Sequence, residues 1–119
     1  MVIEEINYDV LIVGAGPSGL SAAIKLKQLA SENNQDISVC VVEKASQIGG
    51  HTLSGAVIDV TSLAELLPNW KNTNPPIATP VTKDNFFYFT KKSALKIPNF
   101  LLPNTLSNKN HFVVSLSEV

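Results

Sequence analysis

Three glycines, Gly14, Gly16 and Gly19, punctuate the stretch "YDVLIVGAGPSGLSAAI" between Tyr8 and Ile24, a spacing suited to holding a pyrophosphate. Gly14 permits a sharp exit from a strand, Gly16 lets the main chain approach the anion, and Gly19 has no side chain to hold a helix off a sheet. Ala15, Pro17 and Ser18 complete the turn, and Pro17 suits a first helical turn because its missing N–H would be unpaired there anyway. The anion then rests at the helix N-terminus, where free amides and aligned peptide dipoles favour negative charge. An acid, Glu43, ends the next apolar run 24 residues beyond Gly19, where about 20 is the rule. It can accept hydrogen bonds from the hydroxyls of an adenosine ribose, and its charge would repel a 2′-phosphate, which disfavours NADP. FAD and NAD both present an ADP moiety, so these residues leave the two open.

These residues need a strand, a helix and a second strand to position them. Tyr8 to Val13 is a short apolar run rich in β-branched residues that stops at glycine, and it reads as a buried strand. From Pro17 the period becomes helical, with Ser21, Lys25 and Gln28 on one wet stripe and Leu20, Ala23, Ile24, Leu26, Leu29 and Ala30 filling the rest. Lys27 breaks that pattern. The helix ends at "SENNQD", and Ile37 to Glu43 reads as a second strand, so residues 8–43 predict a βαβ unit with parallel strands.

Residues 44–60 read as a loop, "ASQIGGHTLSGAVID" following Lys44. Lys44 has the reach to touch a phosphate or to sit in solvent, and Gly49 and Gly50 allow a close approach or a left-handed turn. Residues 61–119 predict an irregular and β-hairpin region: a short helix over Thr61–Leu67 with Thr61 as N-cap, an irregular "NWKNTNPPIATP", and a hairpin of Phe86–Thr90 with Ser93–Ile97 around Lys91 and Lys92. The proline-bounded "PNFLLPNTLSNKN" and a last strand in "HFVVSL", opened by His111 in a structural role, complete the chain.

Composition bounds the rest. The chain has 119 residues, at most one typical domain, and 45% hydrophobic content, enough for a core. A net charge of −1 gives no footprint for nucleic acid. All nine cations are lysine, so no bidentate guanidinium fork exists and anion recognition falls to main-chain amides and lysines. The single cysteine, Cys40, lies within "ISVCVVE", where it reads as a small buried residue, and no disulfide or iron–sulfur ligand set can be assembled from it. No run approaches the roughly 18 apolar residues of a membrane span, and "MVIEEINYD" carries acids where a signal or transit peptide would carry bases.

With "VVEKASQIGGHTLSGAVID", "LLPNW", "TPVTKDNFFYFT" and "IPNFLLPN" added, the chain from about Tyr8 to Val119 resembles the N-terminal, FAD-binding part of the electron transfer flavoprotein-ubiquinone oxidoreductase family. "HTLSGAVID" is far more specific than the glycine turn. The resemblance implies an α/β fold with a Rossmann-like FAD-binding βαβ unit and an appended β-hairpin region, a partial domain. It implies FAD over NAD, electron transfer flavoprotein and ubiquinone as partners, and a [4Fe-4S] cluster whose cysteines lie beyond position 119. Gly14 to Gly19 would hold the pyrophosphate and Glu43 the ribose, while Gly50, His51, Thr52, Leu53, Ser54 and Gly55 would run along the flavin side. Gly50 stands where alanine is common in the family.

His51 and Ser54, three apart, invite an acid–base reading, but a flavin supplies its own redox chemistry, which favours a positioning role and no catalytic side chain. The apolar Phe100, Leu101 and Leu102 between Pro98 and Pro103 read as a membrane contact or as core packing. The implied location is peripheral on an inner membrane, at the bacterial cytoplasmic face or in mitochondria. A geranylgeranyl-reductase-like FAD oxidoreductase and a non-catalytic NAD-binding module are the competing expectations.

Overall fold

A computed structural model of the chain describes residues 5–53 and 55–119. The chain divides into two compact units, Met1–Leu53 and Ser54–Val119. In the first, strand β1 (Val10–Val13), helix α1 (Pro17–Glu32) and strand β2 (Val39–Val42) form the expected parallel βαβ unit. Both strands begin later than the apolar runs suggest. The main-chain amide and hydroxyl of Ser38 both donate to the Asp9 carboxylate, at 2.7 and 2.6 Å, and this polar clasp occupies the strand entrances.

Val10 pairs with Val39 and Ile12 with Val41, so these four share the sheet face on which α1 packs. Leu11, Val13 and Val42 point to the opposite face and stay exposed, Val13 by 82%. A parallel strand pair is ordinarily covered on both faces; here one face is open. The wet stripe of α1 differs from its helical-wheel expectation at Gln28, which is half-buried, and Leu29, which is exposed. Lys27, the outlier of the pattern, donates from Nζ to the Ile37 carbonyl at 2.9 Å and so ties α1 to the segment entering β2.

The second unit is built on a three-stranded antiparallel sheet in the order β3 (Gly55–Asp59), β7 (His111–Ser115), β4 (Thr79–Pro80). The presence of β3 corrects the expectation of a loop through residue 60. "GAVID" alternates in exposure and pairs along its whole length with β7, from Gly55 opposite Ser115 to Asp59 opposite His111, a partner too remote in sequence to be foreseen locally. Pro80 sits where proline is tolerated, on an edge strand of two residues.

Helix α2 spans Thr61–Leu66, and its N-cap is Val60, not Thr61. The Asp59 carboxylate, two residues upstream, takes both the amide and the hydroxyl of Thr61, at 2.9 and 2.6 Å, which draws Thr61 into the first turn. Trp70, Ile77 and Val114 form the buried centre of this unit, with Ala56, Ile58, Val60, Leu63 and Phe112 packed around them. Phe112 meets the Trp70 ring edge-on at 6.4 Å.

Strands β5 (Phe86–Phe89) and β6 (Ala94–Ile97) form the expected hairpin. Thr90 and Ser93 close it through main-chain and hydroxyl hydrogen bonds around Lys91 and Lys92. Asp84 anchors its base: the carboxylate accepts from the Asn108 amide and side chain at 2.9 and 3.0 Å, and the carbonyl accepts from Asn99.

Candidate dinucleotide-binding site

The site is assembled within the first unit, where the turn Gly14–Gly16 joins β1 to α1. Gly14 has φ +101°, a conformation L side chains rarely adopt, and its amide donates to the Val42 carbonyl at 2.7 Å. The turn is thereby stitched to the end of β2. Gly16 is the N-cap of α1 and brings no side chain to cap the helix. The first turn of a helix leaves its amides without intrahelical acceptors. Among the described residues no acceptor meets the amides of Gly16, Ser18 or Gly19.

The two remaining glycines answer different needs. A Cβ on Gly19 would run into the Gly14 carbonyl oxygen and crowd Ile12 Cγ2 at 3.3 Å, so bare main chain is what lets α1 sit against the turn and β1. A Cβ on Gly16 would meet nothing within 4 Å. Its bareness serves no contact among the described residues and leaves open the space beside the free amides. That cradle fits a diphosphate.

Glu43 follows β2 and faces the turn. Its Oε2 accepts the amide of Ala15 at 2.8 Å, and its Oε1 accepts the amide of Ala45 at 2.8 Å. The Ala45 and Ala15 bonds, with a smaller contribution from the charge of His51, hold the carboxyl below the usual glutamate range. Each oxygen keeps a second lone pair, so the acid still has acceptors to offer ribose hydroxyls. The part played by Ala45 was not legible in the residue types. The available signal was its place two residues after a side-chain acceptor, the spacing of a local carboxylate turn.

The residues after Glu43 form two tight turns. Lys44 is exposed and makes no ion pair among the described residues. Gly49 has φ +76°, its carbonyl accepts the Thr52 amide at 2.9 Å, and the Gly50 amide donates to the Gln47 carbonyl at 3.1 Å. His51 is exposed and Leu53 is 99% exposed. Ser54 lies outside the described residues, which leaves the His51–Ser54 pairing without a geometry. Gly55 belongs to the second unit, where it opens β3, and a Cβ there would stand 2.9 Å from the Val114 carbonyl oxygen. Close strand pairing with β7 is therefore one reason for glycine at that position.

In the second unit, His111 opens β7 with Nε2 3.8 Å from Asp59. Cys40 is half-buried in β2 and free. No group of three or more potential ligands for a metal ion exists among the described residues. With one cysteine in the whole chain, these residues do not fit a [4Fe-4S] cluster.

Phe100 and Leu101 lie in a short 3₁₀ turn, Asn99–Leu101, exposed by 84% and 65%, and Leu102 beside them is half-buried. Core packing of the first two is excluded within this chain. The residue types also concealed a larger apolar surface in β5, where four successive aromatics place rings on both faces of the hairpin and all are exposed, Phe89 by 74%. No helix among the described residues is long and apolar enough to cross a membrane.

A glycine turn at a helix N-terminus, bound to the end of a parallel neighbour strand that carries an acid, defines a dinucleotide-binding fold. The chain belongs to the NAD(P)-binding Rossmann-like domain family, whose model matches residues 12–78. Over nearly its whole length it is similar to electron transfer flavoprotein-ubiquinone oxidoreductases. It is 52% identical to the mitochondrial protein of Arabidopsis thaliana over 99% of this chain and 18% of that protein. For the Pseudomonas aeruginosa protein the identity is 50%, over 98% of this chain and 21% of that protein. The mitochondrial protein of Rattus norvegicus is 52% identical over 93% of this chain and 18% of that protein. The chain thus spans about a fifth of the length of the relatives it matches. The family resemblance carried by "HTLSGAVID" is borne out.

Proposed function

We propose that this chain provides the ADP-binding part of an FAD-dependent oxidoreductase that passes electrons from electron transfer flavoprotein to ubiquinone. The observation that carries this reading is the cradle within the first unit: free amides at the start of α1, open space beside Gly16, and the Glu43 carboxylate facing the turn. The likeness to relatives named electron transfer flavoprotein-ubiquinone oxidoreductase supports the two partners, and the choice of FAD follows the resemblance carried by "HTLSGAVID". When bound, the isoalloxazine takes up and releases the electrons. The chain's own residues bind and orient: the amides of Gly16, Ser18 and Gly19 hold the diphosphate, and Glu43 accepts from the ribose and repels a 2′-phosphate. Lys44 and the segment Gly50, His51, Thr52, Leu53, Ser54 and Gly55 line the cofactor in this reading, with His51 and Ser54 as positioning groups. The [4Fe-4S] cluster belongs to cysteines elsewhere in a longer polypeptide.

The same reading places the protein peripherally on an inner membrane, bacterial or mitochondrial. Phe100 and Leu101 with the aromatic faces of the β5–β6 hairpin supply apolar surface, and Lys91, Lys92 and Lys96 supply positive charge for anionic headgroups.

The test is purification of the chain with added FAD. Flavin absorbance retained at one equivalent per chain, together with FAD or ADP binding and no response to NADP, is the expected result. A folded chain that binds neither FAD nor ADP overturns the reading. A chain that takes NAD and no FAD turns it into a nicotinamide nucleotide module.

A further inference from the structure

Glu43 touches two segments, the glycine turn and the stretch after β2, and adds a second tie to the one that Gly14 makes with Val42. Ala15 is buried in the middle of the glycine turn, between Gly14 in a left-handed conformation and Gly16 at the helix cap. Ala45 begins the segment that leads to the turns at Gly49 and Gly50. One carboxylate oxygen is held by each amide at 2.8 Å. A turn flanked by glycines has wide main-chain freedom, and the direction of its amides decides whether they converge on an anion. Gly14 is fixed by its bond to Val42, and Ala15 is fixed by Glu43. Without the carboxylate, the part-buried Ala15 amide would lose its acceptor, an unfavourable arrangement that the turn relieves by rotating.

We propose that Glu43 is a positioning residue: its carboxylate straps the glycine turn to the segment after β2, and this strap sets affinity for the diphosphate independently of any contact with the sugar. The proposal rests on the dinucleotide reading for its ligand and goes beyond it in giving the acid a role that a ligand without ribose hydroxyls also feels. In Glu43→Gln one oxygen remains, but the new NH₂ group faces a main-chain N–H that it cannot accept, so one of the two ties is lost.

The experiment compares ADP with 2′,3′-dideoxy-ADP, which keeps the diphosphate and lacks the hydroxyls, on the 119-residue chain and its E43Q variant. The expected result is a loss of about tenfold for both nucleotides, of the size that follows removal of one charge-assisted hydrogen bond. Dideoxy-ADP bound equally by the two proteins would overturn the proposal, because Glu43 would then act on the sugar alone.

Amide hydrogen exchange gives a reading free of ligand. Exchange at Ala15 or Ala45 is expected to quicken at least tenfold in E43Q while β1 and the interior of α1 keep their rates. Unchanged exchange at both alanines would overturn the strap. Should E43Q fail to fold, Glu43→Asp serves instead: its shorter side chain is expected to keep Ala45 and release Ala15, and a protected Ala15 amide in E43D refutes the tie. If the native chain binds no nucleotide, the dinucleotide reading falls and the affinity claim with it, while exchange at Ala15 still decides the strap by itself.

Discussion

The glycines of the turn are not interchangeable, and substitutions separate their duties. Gly19→Ala drives a methyl into the Gly14 carbonyl oxygen, so α1 must lift from β1 at a cost of about 1–3 kcal/mol. The expected result is a lower denaturation midpoint. Gly16→Ala puts its methyl into open space and should cost about 1 kcal/mol or less, the difference between glycine and alanine at an N-cap. It should weaken ADP binding by about tenfold or more, since the methyl occupies the approach of the diphosphate. Isothermal titration of ADP beside thermal melts of both variants checks the pair. A G16A variant that binds normally would mean that the anion does not rest there.

At the scale of elements, the hairpin and the Trp70 cluster make opposite use of aromatic residues. Trp70, with Ile77 and Val114, closes a core, and truncating a neighbour opens a cavity beside it. Ile77→Ala is expected to cost about 2–5 kcal/mol. Trp70 is the sole tryptophan, so a red shift in its emission would report water reaching the ring. In β5 the rings of Phe87 and Phe89, 6.2 Å apart, pack on one another and remain exposed. Serine at both positions should leave the unit folded and reduce co-sedimentation with anionic liposomes. Replacing Lys91 and Lys92 by glutamine should reduce it by about an order of magnitude or more at low salt. Unchanged lipid binding in both folded variants ends the membrane reading, and the Phe100, Leu101, Leu102 triple serine variant extends the test to the neighbouring turn.

At the scale of the whole molecule, four carboxylates among the described residues are drawn below their ordinary range by hydrogen-bond donors: Asp9 by Ser38, Glu43 by Ala45 and Ala15, Asp59 by Thr61, and Asp84 by Asn108. A depressed folded-state pKa contributes stability that is fully present above the unfolded value and is lost as pH falls through the folded one. The ordinary values are 3.8 for aspartate and 4.5 for glutamate. The melting temperature should therefore hold steady from about pH 7 to 5 and fall progressively below about pH 4.5. Asp84→Asn should flatten part of that acid limb, because the amide cannot titrate. Each of these acids bridges segments distant in sequence or, as Asp59 does, holds the first residue of a helix, so acid is expected to loosen both units.

The βαβ unit, the glycine turn and the hairpin were legible in the sequence because each is set by local chemistry: β-branched runs that end at glycine, a helical period opened by proline, and a polar turn between apolar strands. The family resemblance was legible too, in "HTLSGAVID". Two features were decided only by tertiary structure, and a third, the cap of α2, by a local contact that residue propensities do not show. Strand β3 exists because β7, more than 50 residues away, supplies its hydrogen-bond partners. Thr61 lost the cap of α2 because Asp59 reached it first. Glu43, assigned from spacing to a sugar, turned out to grip two main-chain amides whose positions depend on how the turn folds back on β2. Short-range propensity names the residue types that suit a site, and long-range pairing of main-chain donors and acceptors determines which of them meet.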